Sequence, residues 1–131
     1  MGIQKLPFAE LEIMQIIWDN KEVGTTAVYI SERLVGKKDW AVTTILNFLM
    51  RLVNRGFLAV HKEGKTNIYT SLVSEEEYLE FESKSFLDRL HGNSLKSLVA
   101  SLYRGKAISQ SDLEELKDYI DERAGELSDD L

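Results

Sequence analysis

The spacing of apolar residues between Asp39 and Gly56 constrains the fold more than any other feature of the chain. These residues recur at intervals of three and four positions, which places them on one side of an α-helix: Ile45, Phe48, Leu49, Leu52 and Val53. The opposite side is polar and carries no acidic residue: Thr43, Thr44, Asn47, Arg51 and Asn54. Gly56 follows, as expected for a residue just beyond a helix end that adopts φ > 0. Such a helix fits the major groove of DNA, and taken alone it equally fits an ordinary amphipathic helix with a solvated face.

The segments on either side predict a winged helix-turn-helix. In chain order, the spacing predicts helices at residues 8–19, 25–35 and 40–55 and strands at 57–61 and 67–72. Gly36–Asp39 is the short turn between the second and third helices, an arrangement typical of helix-turn-helix proteins. The hairpin that follows forms a wing over residues 57–72. We therefore expect a winged-helix domain over residues 1–73.

The charge distribution separates the two halves of the chain. Residues 1–73 contain nine Lys or Arg and seven Asp or Glu, whereas residues 74–131 contain seven and fifteen. Within residues 33–65, seven basic residues stand against two acidic ones. Charges separated by more than about 8–10 Å are largely screened, so the local potential decides phosphate binding. The formal net charge of −6 therefore does not exclude DNA binding by the first half.

Six polar or basic side chains on the third helix and the wing are candidates for contact with double-stranded DNA: Thr43, Thr44, Asn47, Arg51, Lys62 and Lys65. Arg51 either reaches phosphate or donates two hydrogen bonds to O6 and N7 of guanine, and its alternative role is a surface ion pair. Lys62 and Lys65 are expected to contact phosphate without reading sequence. Tyr69 either packs within the wing or offers its hydroxyl to phosphate.

Residues 74–131 predict three further helices. Ser74 and Glu77 fit a capping box, Ser94 caps the next helix, and Ser109 or Ser111 caps the last. About fifty residues can form only a small core, although the apolar stripes of these helices are wide. The region is therefore either a compact three-helix domain or a dimerisation domain that shares its stripes with a second copy, and we favour the second. The dimerisation candidates are Leu95, Leu98, Val99, Leu102, Leu113, Leu116 and Ile120. A two-fold dimer expects an operator with two half-sites in inverted repeat.

The predicted fold class is mainly α with a small β-hairpin wing, an N-terminal winged helix-turn-helix followed by a C-terminal helical dimerisation domain. No motif of an enzyme, metal site or cofactor site is visible, the chain has no cysteine, and His61 and His91 lie in different regions. The sequence contains no apolar run long enough to span a membrane and no signal-peptide core at its start. We therefore expect a cytoplasmic protein that is not an enzyme and does not insert into a membrane.

Five stretches together resemble the penicillinase repressor (BlaI/MecI/CopY-type) transcriptional regulators: ELEIMQIIW, KDWAVTTILNFLMRLVNRGFL, HKEGKTNIYTSLVSEEEY, ESKSFLDRLHGNSLKSLV and ISQSDLEELK. The resemblance covers about residues 8–125, including the second region. It implies a homodimeric repressor whose winged helix binds a palindromic operator. In the β-lactam-responsive branch it also implies a partner, a membrane sensor-transducer with a cytoplasmic metalloprotease domain, and in the copper branch a metal response through C-terminal cysteines.

Three departures from the family pattern are informative. Trp40-Ala41-Val42-Thr43-Thr44 stands where the family often has Trp-Ser-Pro-Lys-Thr, so a serine cap, a proline and a lysine are missing. The copper branch's cysteines are absent, which excludes copper sensing by that route. The family's cleaved Asn-Phe bond corresponds to Ser101-Leu102, so cleavage by that kind of protease and the identity of the inducing signal stay open.

Two other functions are compatible with the residues. A winged-helix module can bind an acidic protein partner without binding DNA, and a small enzyme subunit can have a site that no sequence motif reveals. A DNA-binding homodimeric repressor, released by an unidentified signal, explains the most features of the sequence.

Overall fold

A computed structural model describes residues 2–22 and 24–129 of the chain, with side chains as far as residue 126. The elements are α1 (Phe8–Asp19), α2 (Ala27–Leu34), α3 (Val42–Asn54), β1 (Leu58–Glu63), β2 (Thr66–Ser71), α4 (Glu75–His91), α5 (Leu95–Arg104) and α6 (Gln110–Asp129). The chain forms two compact units, Met1–Ser83 and Lys84–Leu131. None of the helices, as far as the structure describes them, combines the length and apolar character needed to cross a bilayer.

The first three helices form as their sequences predict, and their ends have identifiable causes. Thr26 caps α2, because its hydroxyl accepts a hydrogen bond from the Tyr29 amide at 3.1 Å. α3 begins at Val42, two residues later than predicted, since Ala41 is extended (φ −64°, ψ 154°) and makes no side-chain cap. Gly56 has φ +83°, as expected for the residue that turns the chain after α3.

The core of the first unit lies where α1, α2 and α3 meet the hairpin. Its buried apolar residues come from every element of the unit: Leu6, Ile13, Met14, Ile17, Ile30, Leu34, Ile45, Leu49, Leu52, Phe57, Leu58, Tyr69 and Tyr78. Their mutual burial fixes the orientation of α3, because each helix contributes the apolar side that its spacing defines.

The β-hairpin is anchored to the helices at its base. β1 and β2 pair antiparallel from Leu58↔Ser71 to Glu63↔Thr66, which leaves Gly64 and Lys65 as a two-residue loop. Tyr69 of β2 also exchanges two backbone hydrogen bonds with Thr25, at 2.9 and 2.8 Å, and its side chain is buried. Of the two roles considered for Tyr69, the structure therefore favours packing. Gly24 precedes this bridge with φ +86°, and an added Cβ there would clash with the side chain of Ile68.

The first turns of α4 belong to the first unit. Ser74 and Glu77 form the predicted capping box, with reciprocal hydrogen bonds of 3.1 Å. Hydrogen bonds from the backbone amide and then the side chain of Ser74 lower the pKa of Glu77. Tyr78 is buried, and its hydroxyl accepts a hydrogen bond from the Leu6 amide at 2.9 Å. Burial raises the pKa of Tyr78 to about 12. The predicted domain boundary after residue 73 stays a prediction; by its internal packing, the first unit continues as far as Ser83.

The second unit consists of the end of α4 together with α5 and α6. Ser94 caps α5 through the Ser97 amide, and Ser109 caps α6 through the Asp112 amide, each at 3.1 Å. Between Lys84 and Glu126, no side chain is buried, although apolar stripes run along all three helices. The predicted fold class, a winged helix-turn-helix followed by a helical region, is confirmed.

Candidate nucleic-acid interface

The third helix presents its polar side to solvent because its apolar side is buried. Ile45, Leu49 and Leu52 are essentially inaccessible, and they face α1, α2 and the start of β1. Thr43, Asn47 and Arg51 are exposed on the opposite side, whereas Thr44 is half-buried. We call the exposed residues of α3 the front of the helix: Val42, Thr43, Leu46, Asn47, Met50, Arg51 and Asn54.

Arg51 has a defined position without an acidic partner. Its guanidinium carbon lies 5.7 Å from the centre of the Phe48 ring, which is within the range of a cation–π interaction. This interaction holds the side chain against the helix. Among the residues that the structure describes, no carboxylate lies within ion-pair distance of Arg51, so the surface ion pair considered from the sequence does not form. The hydrogen-bonding edge of the guanidinium remains available to a ligand.

The wing carries its two lysines near its tip. Gly64 has φ +63° and occupies the first position of the two-residue loop, as in a type II′ turn, so Lys65 takes the second position. Lys62 pairs across the hairpin with Asn67, and both lysines are exposed. Glu63 is the one acid of the hairpin, and its carboxylate lies 3.7 Å from His61 Nε2. The tip therefore offers two exposed cations on a two-stranded hairpin.

Arg55 has a structural role that the sequence did not reveal. Its Nε donates to Glu10 Oε1 at 2.7 Å, and its Nη1 donates to Gln4 Oε1 at 2.8 Å. Glu10 is 1% exposed, so this ion pair ties the start of α1 to the end of α3 inside the fold. Lys38 also has an acidic partner, Glu12, at 3.5 Å. The other cations between residues 33 and 65 lack such partners within the described part of the chain: Arg33, Lys37, Arg51, Lys62 and Lys65.

Three apolar residues on the front of α3 were not among the predicted site residues. Val42, Leu46 and Met50 are 55%, 39% and 60% exposed, and they follow one another at intervals of four. We call them the apolar row. The sequence shows their spacing as a second apolar stripe. The apolar side of the helix was assigned from the longer stripe that contains Ile45, Leu49 and Leu52. The front is therefore mixed, with a polar row beside an apolar row.

The predicted dimerisation residues fall into two sets. Five of them, together with Lys96, Ala100 and Tyr103, line an apolar groove of about 430 Å³ between α5 and α6: Leu95, Val99, Leu113, Leu116 and Ile120. Leu98 and Leu102 do not line this groove. Leu98 is half-buried and Leu102 more exposed, and the Ser101–Leu102 bond lies in the interior of α5.

No cluster of three or more potential metal ligands occurs among the residues that the structure covers.

The fold and the front of α3 define a winged helix-turn-helix protein whose third helix and wing carry cations that lack an acidic partner among the described residues. The family described as penicillinase repressor matches residues 7–122.

Two relatives share the length of this chain. A penicillinase repressor from Bacillus licheniformis is 33% identical over 120 residues, covering 92% of each chain. The methicillin resistance regulatory protein MecI of Staphylococcus aureus (strain N315) is 33% identical over 115 residues, covering 88% of this chain and 92% of its own. The solution structure of the DNA-binding domain of the repressor BlaI matches with a TM-score of 0.50 and 34% identity, over 59% of this chain and 92% of that domain.

The chain belongs to the penicillinase repressor family. This is a family of transcriptional repressors and not of enzymes, as the resemblance implied.

Proposed function

We propose that this protein is a transcriptional repressor that binds double-stranded operator DNA through the front of α3 and the wing. The observation that carries the proposal is the front itself: Arg51 has no acidic partner in the described residues, and no acid lies on α3. The similarity to a solved structure described as the DNA-binding domain of a repressor supports DNA binding.

Two of the six candidate residues position the protein on the DNA backbone, and the other four contact bases or phosphates. Lys62 and Lys65 meet phosphate, release counterions and set the salt dependence of binding. Thr43 and Asn47 face the bases or the phosphates that line the groove, and the half-buried Thr44 reaches only a phosphate near the helix start. Arg51 donates to guanine or phosphate from its position beside Phe48.

The repressor acts as a homodimer that joins two copies through the second unit. In a single copy, none of the side chains from Lys84 to Glu126 is buried. The apolar side chains that line the groove between α5 and α6 therefore stay in contact with solvent. A second copy covers them, and the second unit's acidic charge keeps that unit from competing for phosphate. Two-fold symmetry then presents two α3 helices to an inverted-repeat operator.

Release of the repressor concerns α5. The Ser101–Leu102 bond lies inside this helix, so a sensor-transducer protease would reach it only after α5 opens locally. The inducing signal therefore acts either by cleavage of an opened α5 or by separating the dimer without cleavage. Mass spectrometry of the repressor from induced cells distinguishes the two, because it detects a cleaved chain.

DNA binding is tested by selecting duplexes from a library with a randomised central segment and measuring affinity by fluorescence anisotropy at several salt concentrations. Arg51→Ala should weaken binding by about 1–3 kcal/mol, and Lys65→Ala should lower the salt slope by about 1. Arg89→Ala removes an exposed arginine from α4 as a matched control and should bind as the parent does. If no duplex is enriched, the alternative of a protein-binding winged helix is favoured.

Dimerisation is tested by sedimentation equilibrium. Leu95→Asp places a carboxylate in the apolar groove between α5 and α6 and should produce monomers, because a buried unpaired carboxylate is costly. Ser101→Asp adds the same charge to the same helix without removing an apolar side chain, and it should remain dimeric. A parent protein that stays monomeric at tens of micromolar, with and without DNA, would contradict the two-half-site arrangement.

A further inference from the structure

The apolar row on α3 needs an explanation that neither the core nor the charge pattern provides. Leu46 and Met50 lie to one side of the buried stripe and are 39% and 60% exposed, whereas Val42, 55% exposed, is the first residue of α3. Isolated apolar residues are common on protein surfaces and carry no meaning alone. Here three occur in succession on one helix, directly beside the row of Thr43, Asn47 and Arg51.

The position of the row limits what can cover it. At 100° per residue, Leu46 and Met50 lie about 60–100° around the helix from Asn47, so the two rows form one continuous surface. A ligand that binds Arg51 and Asn47 therefore also covers the apolar row. In the part of the chain that the structure describes, Arg51, Lys62 and Lys65 have no acidic partner, which favours a polyanion as that ligand.

The major groove of DNA offers one apolar group, the C5-methyl of thymine, and each thymine presents it beside its O4 acceptor. We propose that the apolar row reads thymine methyl groups, with Leu46 as the principal contact and Met50 as the second. This inference rests on the proposed function and adds to it a specificity-determining surface. It predicts that each operator half-site contains thymine where it faces Leu46.

Leu46 is suited to this role by its partial burial. It is 39% exposed, so part of its side chain rests against the fold while the remainder projects. Its position early in the helix also matches the part of a recognition helix that contacts base edges. Met50, at 60% exposure, is more flexible and adapts to the neighbouring base.

The test removes single methyl groups from the DNA. The full chain first selects its duplexes from the randomised library, and each thymine of a selected half-site is then replaced in turn by deoxyuridine. This replacement deletes the C5-methyl and leaves every hydrogen-bonding group unchanged. The burial of one methyl group predicts a loss in affinity of about three- to fivefold at one or two positions.

The decisive comparison couples this loss to the protein. In Leu46→Ala, the thymine and deoxyuridine duplexes should bind equally at the position facing Leu46, and Met50→Ala should do the same at its own position. Alanine has the highest helix propensity, so both variants should retain α3, which circular dichroism checks. Leu79→Ala shortens an exposed leucine on α4 and should keep the full methyl dependence.

The possible results distinguish a failure of thymine-methyl recognition from a failure of DNA binding. If no duplex is enriched, DNA binding itself is wrong. If the parent binds but no thymine shows a methyl effect, or if the effect persists unchanged in both Leu46→Ala and Met50→Ala, the protein binds DNA and the apolar row does not read it.

Discussion

The ion pair between Arg55 and Glu10 predicts that two arginines one turn apart have different functions. Arg55→Ala would leave the Glu10 carboxylate, which is 1% exposed, without its cation, and it would also remove the hydrogen bond to Gln4. Removing one partner of a buried ion pair costs about 3–5 kcal/mol. Because Arg55 is 31% exposed and water can partly replace it, we expect the lower end, about 3 kcal/mol.

Urea unfolding followed by tryptophan fluorescence measures this loss directly. Both tryptophans, Trp18 and Trp40, lie in the first unit, so the signal reports the unit that contains the ion pair. Arg51→Ala is the matched control, and since Arg51 is exposed, its free energy of unfolding should change by no more than about 0.5 kcal/mol. Protein concentration is held constant because dimerisation would also affect the midpoint.

The combination Glu10→Gln with Arg55→Gln should recover part of the lost stability, because it leaves no unpaired charge inside the fold. An Arg55→Ala variant with unchanged urea midpoint but weakened DNA binding would refute the structural role of Arg55. It would also make Arg55 a candidate DNA contact.

Three further predictions concern local geometry and titration. Gly56→Ala should lower the free energy of unfolding by about 1–2 kcal/mol, through its positive φ alone, and Gly24→Ala should lower it further, since its Cβ also clashes; urea unfolding compares them. Tyr78 should ionise near pH 12 in a spectrophotometric titration, and its contribution to stability, complete below pH 10, should be lost as the pH rises through 12. Ser74→Ala should raise the pKa of Glu77 toward 4.5 in an NMR titration; in the parent, the lowered pKa contributes stability that is lost as the pH falls through it.

Local rules predicted the elements of this fold well. The apolar spacing of residues 8–19 gave α1 its observed bounds, and the Ser74–Glu77 pair formed the expected capping box. The positive φ of Gly56 likewise followed from its place after a helix. Each of these features depends on residues within a few positions of one another, so the sequence contains the information directly.

Features that depend on distant residues were not predictable in the same way. Arg55 meets Glu10 across 45 positions of sequence, and no local pattern pairs a charge at the end of α3 with one in α1. Periodicity also assigns each residue to a side of a helix without saying how much of that side a neighbour covers. Thr44 therefore proved half-buried, and Leu98 and Leu102 lie outside the groove that the other predicted dimerisation residues line.

The front of α3 and the tip of the wing are the surfaces that we expect to meet duplex DNA. Backbone amide chemical shifts of the full chain, recorded while a selected duplex is added, test this expectation most directly. The largest changes should occur between Thr43 and Arg51 and between Lys62 and Lys65. Changes confined to other parts of the chain, with these two segments unaffected, would contradict it.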